Sequence, residues 1–185
     1  MSSVNTLALL ALALVQLCVL PAPVHASTEK NDVKTEETDA FEILAALPYA
    51  VAIKDTNTNP LFKCLTATRI QFDPSGPSAT YEWSLNAGDG QPRKNATFYF
   101  TLGDSPETAT VVVNSDTSSR QTIRYPYTDY TTCGIMEVNY EGHHCTLWVK
   151  NATATIPEEC HRQHTKICGE GVSLYDKDTC SKVTA

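Results

Sequence analysis

No Gly-x-Ser-x-Gly nucleophile elbow, no glycine-rich phosphate loop and no metal-binding triad occurs in the 185 residues of this chain. Its Ser, His and Asp residues have no spacing that argues for a catalytic triad, so the chain reads as a non-enzyme without a cofactor. Basic residues are scarce: 14 Lys and Arg stand against 21 Asp and Glu, a net charge of -7. That balance argues against nucleic acid and anionic membrane surfaces as partners. Long hydrophobic runs are missing apart from Leu7 to Leu20. A membrane-spanning helix needs about 20 apolar residues, so this run is too short to be one. Linkers, repeats and low-complexity blocks are absent too, and nothing divides the residues after the run into separate domains.

The apolar run ends in Val24-His25-Ala26, the small residues a signal peptidase requires, although no Lys or Arg precedes it. Residues 1–26 are therefore expected to be a signal peptide, and residues 27–185 one secreted, extracellular, monomeric domain. Secretion decides how the cysteines are read. Loss of Cys18 with the signal leaves Cys64, Cys133, Cys145, Cys160, Cys168 and Cys180, an even set in an oxidising compartment, which argues for disulfides with the connectivity left open. The run Cys160-His161-x-x-His164-x-x-x-Cys168 would point to zinc in a reducing compartment. With oxidised cysteines it does not, and no metal is expected. Asn95-Ala96-Thr97 and Asn151-Ala152-Thr153 are glycosylation sequons, which place Asn95 and Asn151 on the surface.

After a polar tail over 27–38, Asp39 reads as the cap of a short helix ending before Pro48. Glu42 would complete a capping box, and Phe41, Ile43, Leu44 and Leu47 lie mostly on one face. The pattern then changes to strands, expected at 49–54, 61–72, 80–86, 95–102, 108–113, 121–128, 133–140 and 144–150, separated by clusters of Gly, Pro, Asp and Ser. Eight antiparallel strands joined by short turns predict an all-β up-and-down barrel, whose closure removes exposed sheet edges. The N-terminal helix is expected to plug one mouth. A second helix, about 157–168, would pack outside, and an extended tail would run on to Cys180.

Side-chain alternation then sorts inside from outside. A glycosylated Asn95 points out, taking Thr97, Tyr99 and Thr101 with it, so Ala96, Phe98, Phe100 and Leu102 point in. Cys145 must point out to reach a partner on the external helix, which turns His144, Thr146 and Trp148 inward. Cys133 outward likewise puts Gly134, Met136 and Val138 inside. On the strand through Trp83, the apolar face of Tyr81, Trp83 and Leu85 turns Glu82 outward. Barrels of this size are just wide enough for one small ligand. Trp83, Phe98, Phe100, Met136 and Trp148 accordingly read either as cavity lining or as plain core. Asp39 reads as a helix cap or a ligand carboxylate, and His143-His144 as a solvated turn or part of a site.

The order Asp39-Ala40-Phe41, Asp129-Tyr130-Thr131-Thr132-Cys133, Cys145-Thr146-Leu147-Trp148-Val149, Ile156-Pro157-Glu158-Glu159-Cys160 and Cys168-Gly169, with a last cysteine at Cys180, resembles the tick salivary lipocalins of the histamine-binding-protein family. The resemblance implies a lipocalin barrel that sequesters small host mediators, such as histamine, serotonin or a lipid mediator, in evasion of host defence. An inhibitor that engages a host complement or haemostasis protein through its loops is the alternative. The resemblance also implies the pairs Cys64–Cys180, Cys133–Cys160 and Cys145–Cys168. Amine-binding members tend to carry Trp where this chain has Phe41, and Glu where it has Thr146. A protonated amine needs carboxylates and aromatic faces to offset its desolvation. Thr146 supplies no charge, so weak or no histamine binding is expected, with a more apolar mediator lying against Phe98, Phe100, Met136 and Trp148. A different amine would fit only if Asp39 and another carboxylate faced the cavity, and Thr146→Glu is expected to raise histamine affinity.

Overall fold

Strands succeed one another along the chain in the order in which they pair. The computed structural model describes residues 37–86, 91–152 and 155–180; the expected signal peptide, the tail up to residue 36 and Thr153 of the second sequon lie outside the described residues. Helix α1 (Ala40–Ala46) precedes β1 (Tyr49–Asp55), β2 (Thr66–Asp73), β3 (Ser78–Leu85), β4 (Lys94–Leu102), β5 (Thr108–Val113), β6 (Asp116–Thr128), β7 (Cys133–Asn139) and β8 (His143–Val149). Each strand pairs antiparallel with the next, and β1 pairs with both β8 and β2, so the meander closes into an eight-stranded barrel. Helix α2 (Glu158–Cys168), a two-residue strand β9 (Val172–Ser173) added to β1, and a single turn α3 (Lys177–Cys180) complete the chain.

Alternation builds two cores. One fills the barrel with the inward side chains of every strand and the apolar face of α1: Ile43, Leu44 and Leu47. The other lies between the barrel wall and α2, and joins Val51, Ile135, Leu147 and Val149 to Cys133, Cys145 and Cys160. The disulfides are Cys64–Cys180, Cys133–Cys160 and Cys145–Cys168. The last two pin α2 to β7 and β8. Asn95 and Asn151 are both exposed.

Asp39 caps α1 by accepting from the amides of Phe41 (2.8 Å) and Glu42 (3.0 Å). The expected capping box does not form: Asp39's own amide donates instead to the Tyr130 hydroxyl at 2.8 Å, and Glu42 is exposed. The helix's C-terminal carbonyls, which lack partners within it, are taken up by the barrel. The Tyr81 hydroxyl lies 2.7 Å from Leu44 O and 2.9 Å from Leu47 O, and Arg69 Nη1 donates to Leu44 O (2.7 Å) and Ala45 O (3.0 Å). These bonds hold α1 as a plug in one mouth.

Other departures from the sequence expectation have local causes. Residues 60–62 form a 3-10 turn rather than the start of β2, because Asn59 caps it through Leu61 N and Pro60 supplies the first helical residue. β6 begins five residues early, since Asn114 and Ser115, with φ of 50° and 62°, make a tight hairpin turn that leaves no loop before Asp116. Leu102, expected inside, is 60% exposed because it ends β4 beyond the packed interior. The tail after α2 is not uniformly extended: Leu174 donates to Ile53 O and accepts from Cys64 N, which seats β9 and lets α3 coil onto the last disulfide.

Candidate functional site

At the α1 end the barrel holds a cavity of about 40 Å3. Ile43, Leu44 and Leu47 form its lid, with Ala50 and Ala67 beside them. Tyr81, Trp83, Phe100, Tyr125, Met136 and Trp148 make most of the wall. None of the described residues lining it is charged. Burial pushes the Tyr81 and Tyr125 phenols well above their ordinary range, so both stay neutral. Trp148, a wall residue only 5% exposed, has a buried indole Nε1 without a partner. Buried N–H groups are nearly always satisfied. A donor left unpartnered on a residue of an apolar cavity wall is a feature that a ligand oxygen reaching it would complete.

Toward the opposite half of the barrel, aromatic rings pack on one another. Trp83 stacks on Phe98 at 4.1 Å between centroids, Tyr140 meets Phe98 edge-on at 5.1 Å, and Trp148 leans on Trp83 at 5.2 Å. Below them Phe62 stands edge-on to His144, 4.3 Å away.

Beside that ring lies a carboxylate that strict alternation hides. Val51 and Ile53 face α2, so Asp55 would be expected to face out as well. A bulge between Ala52 and Lys54 shifts the register of β1 on β8, so that Asp55 pairs with Thr146 and points inward. Its Oδ2 lies 2.6 Å from His144 Nδ1 and accepts from Thr146 Oγ1 at 2.6 Å, while Oδ1 accepts from Asn57 N at 3.0 Å and Cys145 N at 3.3 Å. Burial pushes the Asp55 carboxyl up, but the bonds and charge from His144, with those of Asn57 and Thr146, outweigh it and hold it below the ordinary carboxylate range. Asp55, His144 and Thr146 are all fully buried.

The structure thus divides the sequence candidates into three groups. Trp83, Phe100, Met136 and Trp148 share the cavity wall, and Phe98 packs one layer deeper against Trp83. His144 and Thr146 face inward as expected, but onto Asp55 rather than into open space. Asp39 spends its carboxylate on the helix cap, and Phe41 packs half-buried against the core without lining the cavity. Residues missed at the sequence level are Asp55, hidden by the bulge, and Tyr125 and Tyr140. The tyrosines had a signal: both continue inward-facing rows that side-chain parity marks on neighbouring strands.

The model of the tick histamine-binding protein family matches residues 28–182. The chain belongs to that family. No curated protein sequence matches it. Among solved structures, the histamine-binding-family chain is similar to AM182 in a serotonin complex, with a TM-score of 0.56 and 16% identity over 76% of this chain and 91% of that one. It is also similar to japanin from Rhipicephalus appendiculatus bound to cholesterol (TM-score 0.51, 14% identity, 71% of this chain and 95% of that one). Apocrustacyanin C1 matches comparably, at TM-score 0.55 and 16% identity over 76% and 82%. At such identities these likenesses show the lipocalin fold, and family membership makes the chain a small-ligand-binding lipocalin.

Proposed function

We propose that this member of the tick histamine-binding protein family is a secreted salivary scavenger of a small, electrically neutral, largely apolar host mediator of lipid type. The ligand sits in the α1 half of the barrel with a hydroxyl or carbonyl oxygen on Trp148 Nε1. The observation that carries the reading is the cavity itself, lined by no charged side chain among the described residues and flanked by one buried donor that lacks a partner. A protonated amine placed there would be desolvated without a counter-charge, at a cost of several kcal/mol. A neutral ligand of lipid type loses little and gains from apolar burial.

A cavity of about 40 Å3 admits only the leading end of such a ligand. The wall yields most readily at Met136, which is unbranched and has three rotatable bonds. Of the two ligands named for similar tick and serotonin-complexed lipocalins, cholesterol is closer in chemistry to this cavity than serotonin. The signal read over residues 1–26, the three disulfides and the exposed sequon asparagines support secretion and glycosylation.

Both tryptophans of the chain, Trp83 and Trp148, line the cavity, so intrinsic fluorescence reports its occupancy directly. Titration of the disulfide-intact protein with cholesterol, a neutral acylglycerol, histamine and serotonin is the test. Saturable quenching by a neutral lipid with none by the amines is expected. Nanomolar histamine binding with no response to either lipid would overturn the proposal.

A further inference from the structure

The Asp55 pocket has the chemistry of a cation site, and the chain fills it from within. Its carboxylate is fully buried and receives four contacts from donors, of which one is the His144 ring. That ring makes two contacts of the same kind at its two ends: Nδ1 lies 2.6 Å from Asp55 Oδ2 and Nε2 lies 2.8 Å from the Tyr140 carbonyl oxygen. Both partners are acceptors, and an imidazole that donates from both nitrogens is the imidazolium. Asn57 Nδ2, 3.3 Å from Nε2, is farther than the carbonyl and also donates to Glu141 O at 3.2 Å. Phe62 closes the third side with its ring at 84° to the imidazole.

A carboxylate, a carbonyl and an aromatic wall around one small flat cation make up a binding site for that cation. We infer that His144 is a built-in occupant of an imidazolium subsite, and that it determines specificity by withholding Asp55, the buried carboxylate of the barrel interior, from cationic ligands. The covalent link makes the occupant effectively permanent, because a tethered ring competes at a high local concentration against any free amine. The inference rests on the reading of the barrel as a small-molecule binder and explains why its ligand is neutral. It concerns a pocket separate from the lipid cavity.

The test is chemical rescue. His144→Gly leaves a hole of imidazole shape beside an unpartnered buried carboxylate, so its melting temperature is expected to fall and free imidazole to restore roughly half of the loss or more by binding the native state. Benzene, of similar shape but without donors, is expected to restore none of it, and His144→Gly/Asp55→Asn is expected to lose the rescue. Equal rescue by benzene and imidazole, or no rescue of the folded variant, would overturn the inference. Should His144→Gly fail to fold, nitrogen-15 NMR of the unmodified protein decides: at neutral pH both His144 ring nitrogens are expected to show the protonated pattern, and the pattern of a single neutral tautomer refutes a resident cation. Neither arm uses the lipid titration, so its failure leaves the neutral-lipid reading standing, and loss of lipid binding leaves this pocket untouched.

Discussion

Asp55 and Thr146 face each other across the β1–β8 pair, with Thr146 Oγ1 donating to Asp55 Oδ2 at 2.6 Å in a fully buried site. This contact argues against the expectation that Thr146→Glu would raise histamine affinity. A glutamate there would set a second carboxylate against the first in a medium where like charges repel strongly. Thr146→Glu is therefore expected to lower stability by about 3 kcal/mol or more, as other uncompensated buried charges do, and to leave histamine affinity unimproved. Thr146→Val, which removes the donor alone, should cost about 1 to 2 kcal/mol. Urea midpoints compare the two, and a Glu variant as stable as the Val variant would contradict the geometry.

Acid stability depends in part on two fully buried groups, His164 and Asp55, whose protonation changes on folding. His164 is fully buried, its Nε2 bonded to Cys145 O at 3.0 Å and its Nδ1 without a partner, and burial pushes its affinity for a proton down from the ordinary value of 6.5. Asp55 is likewise held below its ordinary value of 3.8. In both cases the unfolded chain binds the proton more readily, so each group's contribution is complete above the unfolded value and is lost as pH falls from there through the folded value. The first loss should begin near pH 6.5 from His164, and a second below pH 3.8 from Asp55. His164→Gln is expected to abolish the upper step in melting temperature against pH and keep the lower one. An upper step that persists in that variant would assign it to another group.

Much of this could be read in the sequence because two residues expected to face outward anchored the alternation. A sequon at Asn95 and a cysteine at Cys145 each tie one residue to the outside, and period-two geometry carried the assignment along β4 and β8. It also oriented Met136, Val138 and Trp148 correctly. Legibility ends where alternation itself is interrupted. The bulge after Ala52 turns Asp55 inward, and nothing in Tyr49-Ala-Val-Ala-Ile-Lys-Asp55 marks the extra residue. The Tyr130 hydroxyl that displaces Glu42 at the helix cap lies 91 residues away in sequence, a contact beyond any local pattern. The size of the cavity depends on how Trp83, Phe98 and Tyr140 stack, which composition alone does not set.

Cys64–Cys180 spans 116 residues and ties the 3-10 turn to the end of the described chain. Replacing both cysteines by alanine frees the unfolded state by about 4 to 5 kcal/mol in the chain-entropy model. Calorimetry should show the largest fall in melting temperature for this pair, ahead of Cys133–Cys160 and Cys145–Cys168, which close loops of 27 and 23 residues. If the ranking is inverted, the α2 staples contribute through packing of the outer core rather than through loop closure.

Trp148→Phe separates ligand recognition from packing. The substitution keeps an aromatic ring on the cavity wall, against Trp83, and removes the indole N–H, which has no partner in the folded chain. Losing a donor that bonds nothing removes a buried, unsatisfied group, so the stability cost should come only from the smaller ring and stay near about 1 kcal/mol. A bound lipid oxygen, in contrast, would lose its hydrogen bond, weakening affinity by about five- to tenfold. Trp83→Phe is the control, since its ring packs on Phe98 and Trp148: it should cost stability as well as affinity. Lipid titrations and urea melts on both variants give the comparison. If Trp148→Phe binds the neutral lipid as tightly as the unmodified protein, the ligand does not use Nε1, and the acceptor assigned to it is wrong.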